Sequence, residues 1–135
     1  MALAIQWNCQ SVWAKKSDLL FILSKFSPVA VAISETRLKA GSFLRIPGYV
    51  SFRDDSPDGY GGSAILISTA VTGSRINVTP TNNFSLVVVK IKFINYISLY
   101  IPHPNLSIIS RLLKTLLGLH SPIIMMGDFN IHHPA

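Results

Sequence analysis

An α/β fold is predicted by two observations. The chain alternates strand-like and helix-like segments near both ends, and its apolar runs are β-branched enough to be buried strands. The first alternation begins with an apolar strand over residues 3–7. Residues 15–26 then place Leu19, Ile22, Leu23 and Phe26 at helical spacing, and Pro28 ends that helix. Residues 29–34 (VAVAIS) read as a buried strand. Such a crossover makes its two strands parallel, so their carboxyl ends lie on one edge of a sheet.

The middle is less regular. Residues 49–53 suggest a short strand, and DDSPDGYGG at 54–62 a turn-rich loop. Residues 63–68 read as another strand, and 69–84 as a polar loop or edge. Val87, Val89, Ile91 and Phe93 alternate with Val88, Lys90 and Lys92, the pattern of a half-buried strand. A turn near Asn95 leads into an antiparallel partner over 96–101. The second alternation follows. Asn105 can cap a helix over 106–119, whose Ile109, Leu112, Leu113, Leu116 and Leu117 form one apolar stripe. Pro122 opens a strand over 123–126 that runs into Gly127, Asp128, Phe129 and Asn130. Residues 1–135 are taken as one domain, a usual size.

Composition narrows the class. Charged residues are 13% of the chain, against roughly 25% in ordinary soluble domains. With 49% hydrophobic residues and a mean hydropathy of +0.41, intrinsic disorder is excluded. The best apolar stretch, 19–33, is interrupted by Lys25 and Pro28, so no membrane span is expected. The start lacks the basic region and long apolar core of a signal peptide. A lone Cys9 fits a reducing compartment, and an intracellular protein of nucleus or cytoplasm is expected. Twelve Lys and Arg against six acids leave a net charge of +6, which suits a polyanion such as DNA.

Four of the apolar strands end in groups able to do chemistry: Asn8, Glu35, Tyr100, and Asp128 with Asn130. The carboxyl ends of strands are where α/β proteins place ligands. Carboxylates, amides and a phenol suit a hard cation and an anionic oxygen substrate, and Mg²⁺ is typically held by one or two carboxylates plus substrate phosphate. No zinc spacing and no Walker A pattern is present. Spacing does not say whether the two strand pairs meet.

The segments around these residues carry a resemblance. IQWNCQS at 5–11, ISETRL at 33–38, IPGYVSFRDD at 46–55, GYGGSAILI at 59–67, SLYIPHP at 98–104 and GDFNIHH at 127–133 follow one another in order. Together they resemble the endonuclease/exonuclease/phosphatase superfamily, most nearly the apurinic-type endonuclease domain of non-LTR retrotransposons of the jockey and I groups. The resemblance implies a four-layer α/β sandwich of the DNase I type with a Mg²⁺ or Mn²⁺ site at one edge. It implies that Glu35 holds the metal and that Asp128 orients or deprotonates the attacking water. Asn130 would position that water and the phosphate. Asn8 would hydrogen-bond within the metal site, and Tyr100 would contact the phosphate or leaving oxygen. The implied activity is a DNA nick that leaves a 3′-hydroxyl, with no small-molecule cofactor.

Other positions are weaker. His103 stands where many members carry Asn, and Gln10 where cellular repair members carry an acid. His132 and His133 read as packing or edge residues. Arg53 is a DNA contact or a solvated arginine beside Asp54 and Asp55. Gly61 and Gly62 suit a tight turn, and Lys15, Lys16, Lys90, Lys92, Arg111 and Lys114 suit backbone phosphates or solvated faces. The family's late Ser-Asp-His motif is not found, so a C-terminally truncated domain, inactive by itself and with apolar sheet surface left open, is expected. The alternatives are an inert remnant with weak nucleic-acid binding and, further off, a phosphatase for inositol phosphates or lipids.

Overall fold

The structure, a computed structural model, describes residues 3–79 and 81–130. Along the chain lie β1 (Ala4–Asn8), α1 (Lys16–Phe26), β2 (Ala30–Ser34), β3 (Tyr49–Asp54) and β4 (Ser63–Ser68). Then follow β5 (Ser74–Ile76), β6 (Ser85–Ile91), β7 (Ile94–Tyr100), α2 (Leu106–Leu117) and β8 (Ile123–Asp128). They form two four-stranded sheets, ordered β1-β2-β4-β3 and β5-β6-β7-β8. β1 and β2 pair in parallel, as do β7 and β8, and the other neighbours are antiparallel. The two parallel pairs are the two β-α-β units expected from the sequence.

The inner strands β2, β4, β6 and β7 are apolar on both sides because each sheet is covered on both sides there. Ala30, Ile65 and Ile67 of the first sheet meet Val87, Val89 and Ile91 of the second. On its other face the first sheet offers Val31, Ile33 and Leu66 to Leu19 and Leu23 of α1. The second offers Leu86, Val88, Ile97 and Leu99 to Ile108 and Leu112 of α2. The result is a four-layer α/β sandwich. β6 is therefore buried on both faces, and only Lys90 of Ser85–Ile91 is partly exposed. The half-buried reading of this strand is corrected; a lysine near its far end produced the apparent alternation.

Three local expectations also shift. The β6–β7 turn is Lys92–Phe93, with Lys92 at φ +54, and Asn95 already pairs with Lys90 inside β7. In α2 the side chain of Asn105 accepts from Ile108 N at 3.0 Å and starts the helix as expected. That start turns Ile108 and Leu112 to the sheet and leaves Leu113 and Leu117 outward, with the helix ending at Gly118. In α1, Leu19 and Leu23 are buried, whereas Phe26 is exposed beside Ser27, which closes the helix in a left-handed conformation.

Polar links set how the sheets sit on each other. Ser63 Oγ and Ser98 Oγ are 2.6 Å apart in the interior, and Ser98 donates to Ile33 O at 3.3 Å. Ser63 is thus the donor to Ser98. Asp54 of β3 accepts from Leu86 N of β6 at 2.8 Å. Gln6 of β1 donates to Gly127 O of β8 at 3.2 Å, joining the outer strands. Among the described residues, no helix is long and apolar enough to cross a membrane.

Candidate active site

Both parallel pairs deliver their last residues to one end of the sandwich. Asn8 is in register with Ser34, one residue before Glu35, and Tyr100 is in register with Asp128. The pairing continues beyond β1 and β2 while the backbone bends. Ser11 N donates to Glu35 O at 2.9 Å, Val12 N to Thr36 O at 3.0 Å, and Arg37 N to Gly61 O at 2.8 Å. These bends use the left-handed region at non-glycine residues: Gln10, Ser11, Glu35, Arg37 and Asn130 all have positive φ. Such conformations cost of order 1–3 kcal/mol each and persist where the surroundings over-determine them, commonly at functional sites.

Asn8 is the centre of the arrangement. Its Nδ2 donates to Asp128 Oδ2 at 2.6 Å and to Glu35 Oε1 at 3.3 Å. The two carboxylates, from different sheets, therefore share one donor. Asp128 is held at its other oxygen by Asn130 N at 3.0 Å, and Asn130 Nδ2 donates to Ile101 O at 2.8 Å. Glu35 Oε2 lies 3.6 Å from Arg37 Nη2. Tyr100 is packed against Gly61, where a β-carbon would stand 2.8 Å from its ring. Burial pushes the Tyr100 phenol up, and the charges of Glu35 and Asp128 add to that, with Arg37 opposing. All five residues singled out from the sequence thus meet at one place.

Beside them opens a cleft of about 520 Å³, lined among others by Glu35, Asp58, Tyr60, Tyr100, His103 and Asn130. Thr81, Asn82 and Phe84 of its lining also line a second hollow of about 630 Å³ that carries Arg111 and Lys114.

A divalent cation fits the donor set. Among the described residues no group of three or more His, Cys, Asp and Glu could hold a metal, which argues against a closed protein cage. What is present is a pair of carboxylates, both oxygen donors, joined through Asn8, with Glu35 lining the cleft. Asn8 Oδ1 adds a buried acceptor without a partner. Oxygen ligands in small number, completed by water and phosphate, are the habit of Mg²⁺.

Other expectations resolve differently. Arg53 is not a solvated arginine: it meets Asp55 through Nε at 3.1 Å and Nη2 at 2.7 Å and donates to Ser42 O at 2.6 Å. Lys15 donates to Cys9 O at 2.9 Å, and Lys16 lies over the Trp13 ring. Gln10 is exposed, and Gln6 makes the inter-sheet bond instead. Cys9 is buried, which raises its thiol pKa. His132 and His133 lie outside the described residues. Sequence reasoning missed Arg37. Its signal was available, a cation two residues past the strand-end carboxylate, and the two meet across left-handed turns at both positions.

Comparison with known proteins points the same way. Residues 5–135 match the sequence model of the Endonuclease/Exonuclease/phosphatase family. The chain is 23% identical over 133 residues to the RNA-directed DNA polymerase from mobile element jockey of Drosophila melanogaster, covering 94% of this chain and 14% of that one. Its fold is similar to an AP endonuclease from Archaeoglobus fulgidus, with TM-score 0.78, 20% identity, and coverage of 97% of this chain and 58% of that one. It is also similar to the endonuclease domain of TRAS1, a telomere-specific non-LTR retrotransposon, with TM-score 0.69, 19% identity, and coverage of 95% and 60%. A Neisseria 3′ phosphatase bound to a product DNA hairpin aligns with TM-score 0.71 and 16% identity, covering 94% and 57%. The chain thus spans about 58% of the archaeal enzyme's length and has the DNase I-like fold.

Proposed function

The chain belongs to the endonuclease/exonuclease/phosphatase family, and on that footing we propose that it hydrolyses phosphodiester bonds of DNA with Mg²⁺ or Mn²⁺, leaving a 3′-hydroxyl. The observation that carries this reading is the single amide of Asn8 joining Glu35 of one sheet to Asp128 of the other. That bridge brings the two carboxylates side by side, which supports reading one as the holder of a cation and the other as the handler of the attacking water. An intracellular setting, nucleus or cytoplasm, goes with a DNA substrate. The shared core between the sheets supports treating residues 1–135 as one domain.

Each side chain has a part. Glu35 would hold the cation from the cleft wall. When bound, the cation supplies positive charge that draws electron density from the phosphate and offsets the developing oxyanion. Asp128, fixed at both oxygens, takes a proton from the attacking water on a remaining carboxylate lone pair. Asn130, in a left-handed turn that lines the cleft, holds that carboxylate with its backbone N–H. Tyr100 keeps its phenolic proton well past neutrality and donates it as a hydrogen bond to the phosphate or leaving oxygen.

Among the described residues no third acid, His or Cys joins the carboxylate pair, and this favours a second reading, in which these residues bind cation and DNA but cut poorly. Loss of one preorganised donor aimed at transition-state charge costs about 10²–10³ in rate. A plasmid-relaxation assay separates the two. Nicked circles formed in Mg²⁺, absent in EDTA and lost in Glu35→Gln and Asp128→Asn, with polymerase extension from the nick, support hydrolysis. No nicking, with Mg²⁺ binding that Glu35→Gln abolishes, supports the second.

A further inference from the structure

Two arginines pair with carboxylates beside the cleft, and only one is locked. Arg53 has a side chain 14% exposed and meets Asp55 through two nitrogens, the nearer at 2.7 Å. Arg37 meets Glu35 through one nitrogen at 3.6 Å, and its side chain is 44% exposed while that of Glu35 is 14% exposed. A distance of 3.6 Å is too long for a charge-assisted hydrogen bond. The Arg37 pair is therefore a loose ion pair at the mouth of a cleft.

The backbone was bent to make it. Glu35 has φ +54 and Arg37 φ +53, with buried Thr36 between them. A straight strand would also put residues 35 and 37 on one face, but it would carry the chain away from Gly61, to which Arg37 N is bonded at 2.8 Å. The bend keeps the guanidinium beside the strand end. Its charge reaches Tyr100 as well.

A guanidinium and a divalent cation compete for Glu35, because like charges at that range repel and each weakens the other's hold. The partner that moves is the one with solvent to move into. Leaving a half-exposed pair costs little, whereas an arginine gains a fork-shaped, charge-assisted contact on a phosphate. We propose that Arg37 is a displaceable counter-ion: it neutralises Glu35 while no divalent cation is bound, and once a cation takes Glu35 it turns outward to clasp a phosphate of the nucleic-acid strand. This rests on the reading of Glu35 as the metal carboxylate. It couples metal binding to DNA binding through one side chain.

The test has two arms that do not need turnover. Calorimetric titration of the whole chain with Mg²⁺ compares wild type, Arg37→Ala and Arg37→Lys, each checked by circular dichroism. Removal of the competing charge should tighten Mg²⁺ binding about two- to fivefold, with Arg37→Lys between. Fluorescence anisotropy then follows a phosphorothioate duplex that resists cutting. In Mg²⁺, Arg37→Ala should bind it about tenfold more weakly than wild type, and in EDTA the gap should shrink to under about threefold. Weaker Mg²⁺ binding in Arg37→Ala would mean that Arg37 merely orients Glu35, and would overturn the proposal. An equal DNA gap with and without metal would mean a fixed contact, and would overturn it too. If Glu35→Gln leaves Mg²⁺ affinity unchanged, the metal reading itself is wrong and the proposal falls with it, a result recognisably different from the other two.

Discussion

Asn8 Nδ2 stands 2.6 Å from Asp128 Oδ2 although 120 positions separate the two residues. The same nitrogen reaches Glu35 Oε1 at 3.3 Å. Asn8→Ala leaves both carboxylates without their shared donor, and like charges then push them apart. Nicking should fall about 10²–10³-fold, and Mg²⁺ affinity should fall with it. The chain should still fold, because Asn8 ends its strand and its backbone pairing is kept. Plasmid relaxation, calorimetry and a thermal melt check the three parts together.

Two glycines test how tightly the site is held. At Gly61, φ is +73 and a β-carbon would lie 2.8 Å from Tyr100 Cε2. Gly61→Ala should cost about 1 kcal/mol or more. By displacing Tyr100 on the order of 1 Å it should also cost about 10²-fold in rate. Gly127 is harsher: its β-carbon would fall 1.9 Å from Leu99 O, a backbone atom of the strand it pairs with. Gly127→Ala should break the β7–β8 pairing and give the larger drop in melting temperature. A melt of Gly127→Ala equal to wild type would contradict this packing.

Asp54 gives stability a pH slope. Burial raises its carboxyl above the ordinary 3.8, while the Leu86 hydrogen bond and Arg75 pull it back. In the window above 3.8 the folded chain keeps a proton that the unfolded chain has lost. Stability therefore falls as pH rises through that window. Asp58 acts oppositely, since its hydrogen bonds to Ser56 and Tyr60 lower its carboxyl. Asp54→Asn keeps an oxygen for Leu86 N and removes the titration. Urea midpoints over a pH series should show the wild-type minus Asp54→Asn difference becoming less favourable to wild type with rising pH.

Arg111 and Lys114 line the hollow that shares Thr81, Asn82 and Phe84 with the cleft. The cleft itself carries Glu35, Asp54, Asp55 and Asp58, so a phosphate backbone finds its positive partners further along. Charge reversal at Arg111 and Lys114 should weaken DNA binding and lower the salt slope by about 2. The same reversal at exposed Lys25 and Arg45, on other faces, serves as the control. Equal losses in both double variants would leave only net charge as the cause.

β8 shows Ile123, Ile124 and Met125 at about 40% exposure each, next to a helix that exposes Leu113 and Leu117. Large open apolar patches mark interaction sites or aggregation. The chain alone should bind a dye such as ANS, and Ile124→Lys should reduce that binding. No dye binding by wild type would contradict an open patch.

Local physics made much of this legible in advance. The two β-α-β units follow from β-branched runs around helices with period 3.6, and the cap at Asn105 from a side chain that accepts its helix's free N–H. Strand-end groups such as Asn8, Glu35 and Asp128 were visible because polar residues interrupt apolar runs there. The turn at Lys92–Phe93 was misplaced because Asn95 is a good turn residue by type, yet its backbone was already committed to pairing with Lys90. Arg53 reads as solvated because Ser42, unlike Asp55 two residues on, is reached only when the loop before β3 folds back.

The sequence by itself determined where both helices and most strands lie, and which residues stand where strands end. Those are short-range matters of side-chain period and backbone preference. Only the tertiary structure decided that the ends of β1, β2, β7 and β8 meet and that β6 is buried on both faces. Each of these depends on one sheet settling on the other through contacts between distant residues: the Ser63–Ser98 pair, the Asp54–Leu86 bond and the Asn8–Asp128 bond. No local pattern encodes such a contact, because its free energy is gained only when both partners are already in place.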